Sequence, residues 1–261
     1  MDIKNAHKIV FKIGTSTLTH ANGKPNYKKV EELAMILSDL KNSGKQIVLV
    51  SSGAIAVGVD ILGLPDRPTT IAGKQAAAAI GQCELMFIYD RFFSEYNTKV
   101  AQVLMTRDAV DKFDRRRNVV NTLSTLLEYN TIPIVNENDT VATDELVFGD
   151  NDTLSAVVAE CVGADLLVII TDIDGLFNGD PRTNENAAKI DKVTQITPEI
   201  FELAGGSGTA RGTGGMVTKL QAAQIAMQHN IDTAIINGND LHNIYALLSG
   251  EPIGTIFTCG E

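Results

Sequence analysis

Tryptophan is absent from the 261 residues, aromatic side chains make up only 5% of them, and the chain has three cysteines and four histidines. Cys83, Cys161 and Cys259 show no paired spacing, and an odd count argues against a disulfide framework. The histidines are scattered without metal-ligand spacing, which argues against a zinc site. We therefore predict no metal site built from protein side chains alone.

Basic residues are in deficit, with 22 Lys and Arg against 32 Asp and Glu and a formal net charge of −10. This negative charge argues against a protein that binds nucleic acids or anionic membranes non-specifically. An anionic substrate would have to be held by a local cationic pocket.

Long apolar runs are also lacking, since no stretch reaches the ~18 residues that a membrane helix needs. The first residues, MDIKNAHKIVFK, contain no apolar signal core. Together with the missing disulfide framework, these absences predict a cytoplasmic protein with no membrane partner.

Short apolar runs alternate with helical patterns along the whole chain. Parallel strands need crossover connections, and right-handed crossovers place helices outside the sheet, so this alternation predicts an α/β fold with a mainly parallel sheet covered on both faces. No proline-rich or charged linker interrupts it, which predicts a single domain over residues 1–261. The predicted strands are 8–13, 46–50, 100–105, 132–135, 166–170, 233–236 and 254–257. Pro133 is expected at the start of its strand or at a sheet edge.

Three connections between these strands are also predicted. Residues 51–54 are expected to form a turn of small residues, and residues 173–192 a hairpin or flap. A helix is expected to start with Asn151 or Asp152 as its N-cap.

Lys12 lies inside the first of these strands, among Ile9, Val10, Phe11 and Ile13. A bare ammonium group buried among such side chains is costly, so two interpretations are open. Lys12 could point to solvent at a sheet edge. Alternatively, it could meet an anion at the strand end, where Gly14 follows.

A second lysine, Lys219, falls in the first turn of a predicted helix that follows a Gly-rich loop over 205–215. Such a helix start offers unpaired N–H groups and a positive dipole end to phosphate oxygens. The loop does not match GxxxxGK[ST], and GxGxxG is absent from the chain. On its own it fits nucleotide contact and an ordinary surface loop equally well.

Polar residues cluster where the predicted strands end, which is the edge where open α/β sheets bind ligands. Turn residues are common there for local reasons too, so the two lysines carry more weight than any one cluster. The clusters are Lys12 to Thr15, Ser52-Gly53, Asn136 to Asp139, Thr171-Asp172 and Asn237-Gly238.

Two lysines, glycine-turn donors and nearby carboxylates suit phosphoryl transfer, in which catalysis is mostly positioning and charge stabilisation. Mg²⁺ is expected to arrive with the nucleotide, because it binds through phosphates and few protein carboxylates. No histidine or isolated base adjoins the strand ends. A carboxylate acceptor, with a pKa of ~4.3, is already ionised at neutral pH and needs no base.

Six blocks of sequence resemble the amino acid kinase family, and they follow one another from Lys8 to about Phe257. Two of them, SSGAIAVG and NENDTVAT, are more similar to the glutamate-phosphorylating branch than to kinases of aspartate, acetylglutamate, carbamate or uridylate. The blocks are VFKIGTSTLT, VLVSSGAIAVG, IPIVNENDTVAT, FGDNDTLSA, TDIDGLF with the following DPR, and GTGGMVTKLQAA.

The resemblance implies a three-layer αβα sandwich on a mainly parallel open sheet of about eight strands. It implies ATP-dependent phosphorylation of the side-chain carboxylate of L-glutamate, the first step of proline biosynthesis, with ATP and Mg²⁺ as cofactors. The N-terminal part would bind glutamate and the C-terminal part the nucleotide. Proline as feedback inhibitor and a homo-oligomer, a dimer or larger, are expected as well.

The resemblance also carries site residues over to this chain. Asp139 suits the substrate ammonium, whereas Ser52 and the N–H groups of Gly53 and Ala54 suit a carboxylate. The implied catalytic residues are Lys12, Lys219 and Asp152. The implied glutamate-binding residues are Ser52, Gly53, Ala54, Asn136, Asp139 and Asn151. The implied nucleotide-binding residues are Lys12, Gly14, Thr171, Asp172, Thr213, Gly214, Gly215, Met216, Val217, Thr218 and Lys219.

One departure from the family pattern and two alternatives stand beside this interpretation. Many members continue into a C-terminal PUA domain, and we expect none here because the sequence ends at Glu261. A sibling kinase would phosphorylate another carboxylate or carbamate. A protein of a different class would use the same fold to bind a nucleotide without turnover.

Overall fold

A computed structural model describes residues 3–20, 22–141, 150–179, 184, 186–204 and 215–260. The chain divides into two compact units. The split unit consists of Met1–Lys12 and Gly149–Glu261, and the inserted unit consists of Ile13–Phe148. The prediction of a single domain is not tested by this division and stays a prediction.

Eight strands form a mainly parallel sheet within the described residues, which confirms the predicted fold class. Their order is β3-β4-β2 in the inserted unit and β1-β5-β7-β8-β6 in the split unit. β7 and β8 pair antiparallel, and the pairs β2–β4, β3–β4, β5–β7 and β6–β8 are parallel. The strands are β1 (Lys8–Ile13), β2 (Gln46–Val50), β3 (Val100–Met105), β4 (Ile132–Glu137), β5 (Leu166–Thr171), β6 (Lys192–Val193), β7 (Asp232–Asn237) and β8 (Thr255–Phe257).

The apolar runs of the sequence form the innermost strands. Ile9, Val10, Phe11 and Ile13 of β1 are fully buried, as are the five residues that precede Thr171 in β5. A parallel strand is covered on both faces, so its side chains are apolar without alternation. This burial explains why both strands were recognisable from sequence.

Ten α-helices and one 3-10 helix occur in the described residues. They are the 3-10 helix Ile3–Asn5, α1 (Thr15–Leu18), α2 (Tyr27–Asn42), α3 (Ala54–Ile61), α4 (Ile71–Glu95), α5 (Asp108–Asp111), α6 (Phe113–Glu128), α7 (Asn151–Val162), α8 (Pro198–Ala204), α9 (Met216–Gln228) and α10 (Asn243–Leu248). Among the described helices, none combines the length and the apolar character needed to cross a membrane.

Pro133 lies near the start of β4, which is one of the two positions expected for it. Proline has no N–H to donate, so it was expected at a strand start or at a sheet edge. It is the second residue of β4, near the start as expected. It is not at an edge, because β4 lies between β3 and β2.

A close approach of two helices shapes the inserted unit. A Cβ atom on Gly81 of α4 would lie 1.8 Å from the carbonyl oxygen of Ala54, the first residue of α3. Only glycine permits this distance at that position. It brings the middle of α4 against the start of α3.

Residues 173–192 were expected to form a hairpin or flap, and two described segments of this range pair in antiparallel orientation. Phe177 and Lys189 form an antiparallel bridge, and the Asn178 N–H donates to the Ala188 carbonyl oxygen at 3.0 Å. Residues 180–183 and 185, which include the DPR block, lie outside the described residues.

Candidate active site

Asp152 lies between the two lysines that the sequence singled out, and all three belong to the split unit. Its Oδ1 is 2.6 Å from Lys12 Nζ, and its Oδ2 is 3.1 Å from Lys219 Nζ. Asp152 is fully buried, and the lysines are 7% and 4% exposed. Of the two interpretations of Lys12, the solvent-facing edge lysine is therefore wrong.

Three elements hold this cluster in place. β1 carries Lys12, the first turn of α7 carries Asp152, and the first turn of α9 carries Lys219. Thr218 fixes the carboxylate further, because its Oγ1 lies 2.8 Å from Asp152 Oδ2 and 2.8 Å from the Gly215 carbonyl oxygen. A carboxylate in the first turn of a helix also interacts favourably with the helix dipole.

Asp150 is the N-cap of α7, in place of the Asn151 or Asp152 expected from sequence. Its carboxylate accepts a hydrogen bond from the Thr153 N–H at 2.8 Å. Asp150, Asn151 and Asp152 are all acceptable caps, so local preference could not decide among them. The ion pairs with Lys12 and Lys219 instead require Asp152 to be inside the helix.

Burial and the neighbouring charges act in opposite directions on the pKa values of the cluster. Burial acts to raise the pKa of Asp152, but the Lys12 and Lys219 ammonium groups outweigh it, and the net pKa shift is downward. Burial lowers the pKa of Lys219, and the charge of Asp152 opposes that change. Lys12 and Lys219 share one buried carboxylate, and two neighbouring ammonium groups favour the binding of an anionic ligand.

Thr171 and Asp172 lie at the end of β5 in the same unit. Thr171 Oγ1 is 3.1 Å from Asp172 Oδ1, and the Thr171 carbonyl oxygen accepts from the Gly238 N–H at 2.7 Å. The charge of Asp172 acts on Lys219, which places this strand end near the lysine cluster.

The start of α9 supplies the remaining described residues of the predicted nucleotide site. Gly215 is the N-cap with no side-chain hydrogen bond, and Met216, Val217, Thr218 and Lys219 form the first turn. Thr213 and Gly214 lie outside the described residues. Gly14 belongs to the inserted unit, where it is the N-cap of α1.

A sharp turn leads from β2 to α3 in the inserted unit and contains three predicted glutamate-binding residues. Gly53 has a φ of 100° and caps α3, which begins at Ala54. Such a φ strongly favours glycine. Ser52 is half-buried beside them.

The neighbour of Ser52, Ser51, is fully buried and was missed at the sequence level. Its N–H donates to the Val135 carbonyl oxygen at 2.9 Å, and its Oγ lies 2.8 Å from the Tyr89 hydroxyl. Burial raises the pKa of Tyr89 far above its usual value. Tyr89 is therefore protonated, and its hydroxyl holds the residue that precedes the Ser52–Gly53 turn.

Asn136 lies in the last part of β4, and Asp139 lies two residues after this strand ends. Asn136 is 2% exposed, and its Nδ2 donates to Gln82 Oε1 at 2.8 Å. Burial raises the pKa of Asp139, and the charge of Arg67 opposes that change. Asp139 lines a small, open hollow in the surface of this unit.

Asn151 is the one predicted glutamate-binding residue of the split unit, and it is the first residue of α7. The others, Ser52, Gly53, Ala54, Asn136 and Asp139, belong to the inserted unit. The roles predicted for all of these residues stay predictions.

Gln82 and Tyr89 were also missed, although the sequence contained a signal for them. Residues 77, 78, 81, 82, 85, 88 and 89 of α4 are buried at helical spacing. A glutamine and a tyrosine on that stripe of small and apolar residues need hydrogen-bond partners inside the protein.

Residues 7–237 match the model of the amino acid kinase family. Glutamate 5-kinase of Clostridium perfringens is 53% identical over 98% of this chain and 96% of its own length. The enzymes of the same name from Listeria monocytogenes and Enterococcus faecalis are 52% and 49% identical and are covered over 94% and 97% of their lengths. The resemblance to the glutamate-phosphorylating branch is thereby confirmed.

Solved structures show the same fold at low sequence identity. UMP kinase from Bacillus anthracis has a TM-score of 0.64 and 16% identity, with 98% of this chain and 97% of that one covered. Isopentenyl phosphate kinase from T. acidophilum has a TM-score of 0.67 and 17% identity, with coverage of 96% and 99%. The chain therefore belongs to the amino acid kinase family and, within it, to the glutamate 5-kinases.

Proposed function

We propose that this protein transfers the γ-phosphoryl group of ATP to the side-chain carboxylate of L-glutamate, forming glutamyl 5-phosphate and ADP. This is the first step of proline biosynthesis. The observation that carries the proposal is the buried Asp152 carboxylate paired with both the Lys12 and the Lys219 ammonium groups. The glutamate 5-kinase that is 53% identical to this chain supports the choice of glutamate as acceptor.

The lysine cluster suits the charge changes of phosphoryl transfer. Negative charge spreads over the oxygens of the moving group, and fixed cations in a site with little water stabilise it strongly. Lys12 and Lys219 supply those cations. Asp152 offsets part of their mutual repulsion and holds both ammonium groups in one place, so it acts as a positioning residue.

The acceptor needs no general base, because the glutamate side-chain carboxylate is ionised at neutral pH. The inserted unit would hold the substrate through Asp139 for its ammonium group and through Ser52, Gly53 and Ala54 for a carboxylate. Asn136 would add an amide hydrogen bond, and the glutamate-binding role of Asn151 stays a prediction. The N-terminal part would thus bind glutamate.

The nucleotide would bind to the split unit through Thr171, Asp172 and the start of α9. Mg²⁺ suits this site as a companion of the phosphates, because the Asp152 carboxylate is already occupied by two ammonium groups. Bound Mg²⁺ would neutralise phosphate charge. The protein residues would position the triphosphate.

Three further proposals accompany the reaction: feedback inhibition by proline, assembly into a homo-oligomer and a location in the cytoplasm. Proline, an end product that shares the amino-acid head of glutamate, would compete at the glutamate site. Adding proline should raise the apparent KM for glutamate, and an unchanged KM would reject this inhibition.

The test of the reaction is an acceptor panel with ATP and Mg²⁺, in which hydroxylamine traps any acyl phosphate as a hydroxamate. We expect hydroxamate and ADP to form with L-glutamate and not with aspartate or N-acetylglutamate. Product with either of those two acceptors and none with glutamate would identify a sibling kinase instead. Nucleotide binding without glutamate-dependent ADP release would indicate a protein without turnover.

A further inference from the structure

The side-chain amide of Gln82 is an unusual group of the inserted unit. Gln82 lies in the middle of α4 and is 8% exposed. Its Nε2 is buried and has no hydrogen-bond partner among the described residues. Buried amide donors are almost always paired, so an unpaired one calls for an explanation.

The orientation of this amide follows from its neighbours. The Glu137 N–H donates to Asn136 Oδ1 at 2.9 Å, which makes the other end of that side chain the donor. Asn136 Nδ2 then donates to Gln82 Oε1 at 2.8 Å. With Oε1 engaged as an acceptor, Nε2 is the end of Gln82 that is left to donate.

Gln82 also lines the open hollow that contains Asp139. The other lining residues are Ala54, Ala78, Leu104, Glu137, Asn138 and Thr140. The hollow thus combines two carboxyl side chains with a buried amide that still has a donor to offer. This set complements an amino acid, whose ammonium group prefers carboxylates and whose carboxylate prefers N–H donors.

The packing of α4 holds Gln82 at this place. Its neighbour Gly81 sits so close to the Ala54 carbonyl oxygen that no side chain would fit. The amide is therefore fixed next to the turn at Gly53 and Ala54 by the backbone of α4 as well as by Asn136.

We propose that Gln82 is a substrate-binding residue whose Nε2 donates a hydrogen bond to the α-carboxylate of the acceptor amino acid, beside the ammonium group held by Asp139. This inference deepens the proposed function and rests on it. Gln82 would contact the α-amino-acid end of the substrate. The reacting side-chain carboxylate would lie elsewhere, so Gln82 would act on binding and leave turnover nearly unchanged.

The test compares Gln82→Glu and Gln82→Met with the matched variant Gln102→Glu, at an exposed residue of the same unit. Glu keeps an acceptor for Asn136 but replaces the donor, whereas Met keeps the length and cannot donate in any protonation state. Hydroxamate formation gives kcat and both KM values, and a thermal melt reports folding.

We expect both Gln82 variants to raise the KM for glutamate about 10- to 100-fold, the range for losing a hydrogen bond to a charged group. The kcat of both Gln82 variants should stay within about threefold of the wild type, and their KM for ATP should be unchanged. The Gln102→Glu variant should have the kinetic constants of the wild type. A glutamate KM within twofold of the wild type in a folded variant would overturn the inference. So would a loss confined to kcat.

Two further outcomes are informative. If Gln82→Glu melts at a much lower temperature, Gln82→Met decides the question, because it buries no charge. If the wild type itself forms no glutamate-dependent hydroxamate, the proposed function fails and this inference fails with it. An active wild type with insensitive variants would reject the inference alone.

Discussion

The two units carry sites of opposite chemical character. The site of the split unit is built from full charges, with Asp152 buried between Lys12 and Lys219. The candidate site of the inserted unit combines neutral groups, the amides of Asn136 and Gln82 and the turn at Gly53, with the single carboxylate of Asp139 assigned to the substrate. Buried charges are costly to maintain, so we expect them where charge moves during the reaction. Neutral donors suffice where a substrate is only held.

The contrast leads to a separation of kinetic effects. Changes in the lysine cluster should lower kcat, because transferring charge is stabilised there. Changes around the hollow should raise the KM for glutamate, because ground-state binding is lost there. Each of the following variants tests one side of that separation.

Asp152→Asn should have the largest effect. Two buried ammonium groups would lose their counter-charge, and breaking a buried ion pair from one side costs about 3–5 kcal/mol. We expect a fall of that size in the free energy of unfolding, measured by urea denaturation at pH 7, together with loss of turnover. Asp191→Asn, at a mostly exposed aspartate of the same unit, is the matched control.

The pH dependence of the same variant gives an independent reading. Because the pKa of Asp152 is lowered in the folded protein, its stabilising effect is complete above the ordinary value of 3.8 and is lost as pH falls through the lower folded value. Asp152→Asn should lack that acid-dependent component. An equal acid dependence in both proteins would contradict the assignment.

Lys12→Met and Lys219→Met should each lower kcat about 10²- to 10³-fold, equivalent to ~3–4 kcal/mol. Each removes one cation from the transferring group while the KM for glutamate stays within a few fold. Lys192→Met changes an exposed lysine of the split unit and should behave as the wild type. Turnover near the wild-type rate in either cluster variant would remove the proposed role.

Asp139→Asn moves the comparison to the inserted unit. Losing the charge that faces the substrate ammonium should raise the KM for glutamate by about 10- to 100-fold, while kcat changes little. Asp90→Asn, at an exposed aspartate of α4, is its control. If the KM for ATP rises instead, Asp139 does not belong to the glutamate site.

Tyr89→Phe should have the smallest effect. It deletes one neutral hydrogen bond, to Ser51, and such a bond contributes about 1 kcal/mol to stability. Urea denaturation should report this loss, and the KM for glutamate should change by less than about threefold. Tyr129→Phe, at a tyrosine 72% exposed, should leave both quantities unchanged. A tenfold change in kcat for Tyr89→Phe would contradict the assignment of Tyr89 to a purely structural role.

The sequence predicted the features that depend on local pattern. The apolar runs of β1 and β5 predicted buried parallel strands, and Lys12 inside β1 marked a buried cation in need of an anion. The rule that ligands bind at strand ends brought Lys12 and the residues after β4 and β5 to attention.

Tertiary contacts account for what the sequence did not predict. The sequence predicted a turn at residues 51–54 but not the helix α3 that follows it, because α3 is apolar at nearly every position and shows no separate polar face. The cap of α7 was misplaced because three consecutive residues suit that role, and only the ion pairs of Asp152 choose among them. The hydrogen bond between Gln82 and Asn136 joins residues far apart in sequence, so no local pattern contains it.

The most direct test of the account is a crystal structure of the protein with Mg²⁺, a non-hydrolysable ATP analogue and L-glutamate. The account predicts that Lys12 Nζ and Lys219 Nζ both lie within ~3.2 Å of oxygens of the same triphosphate. A triphosphate bound out of reach of either ammonium group would contradict it.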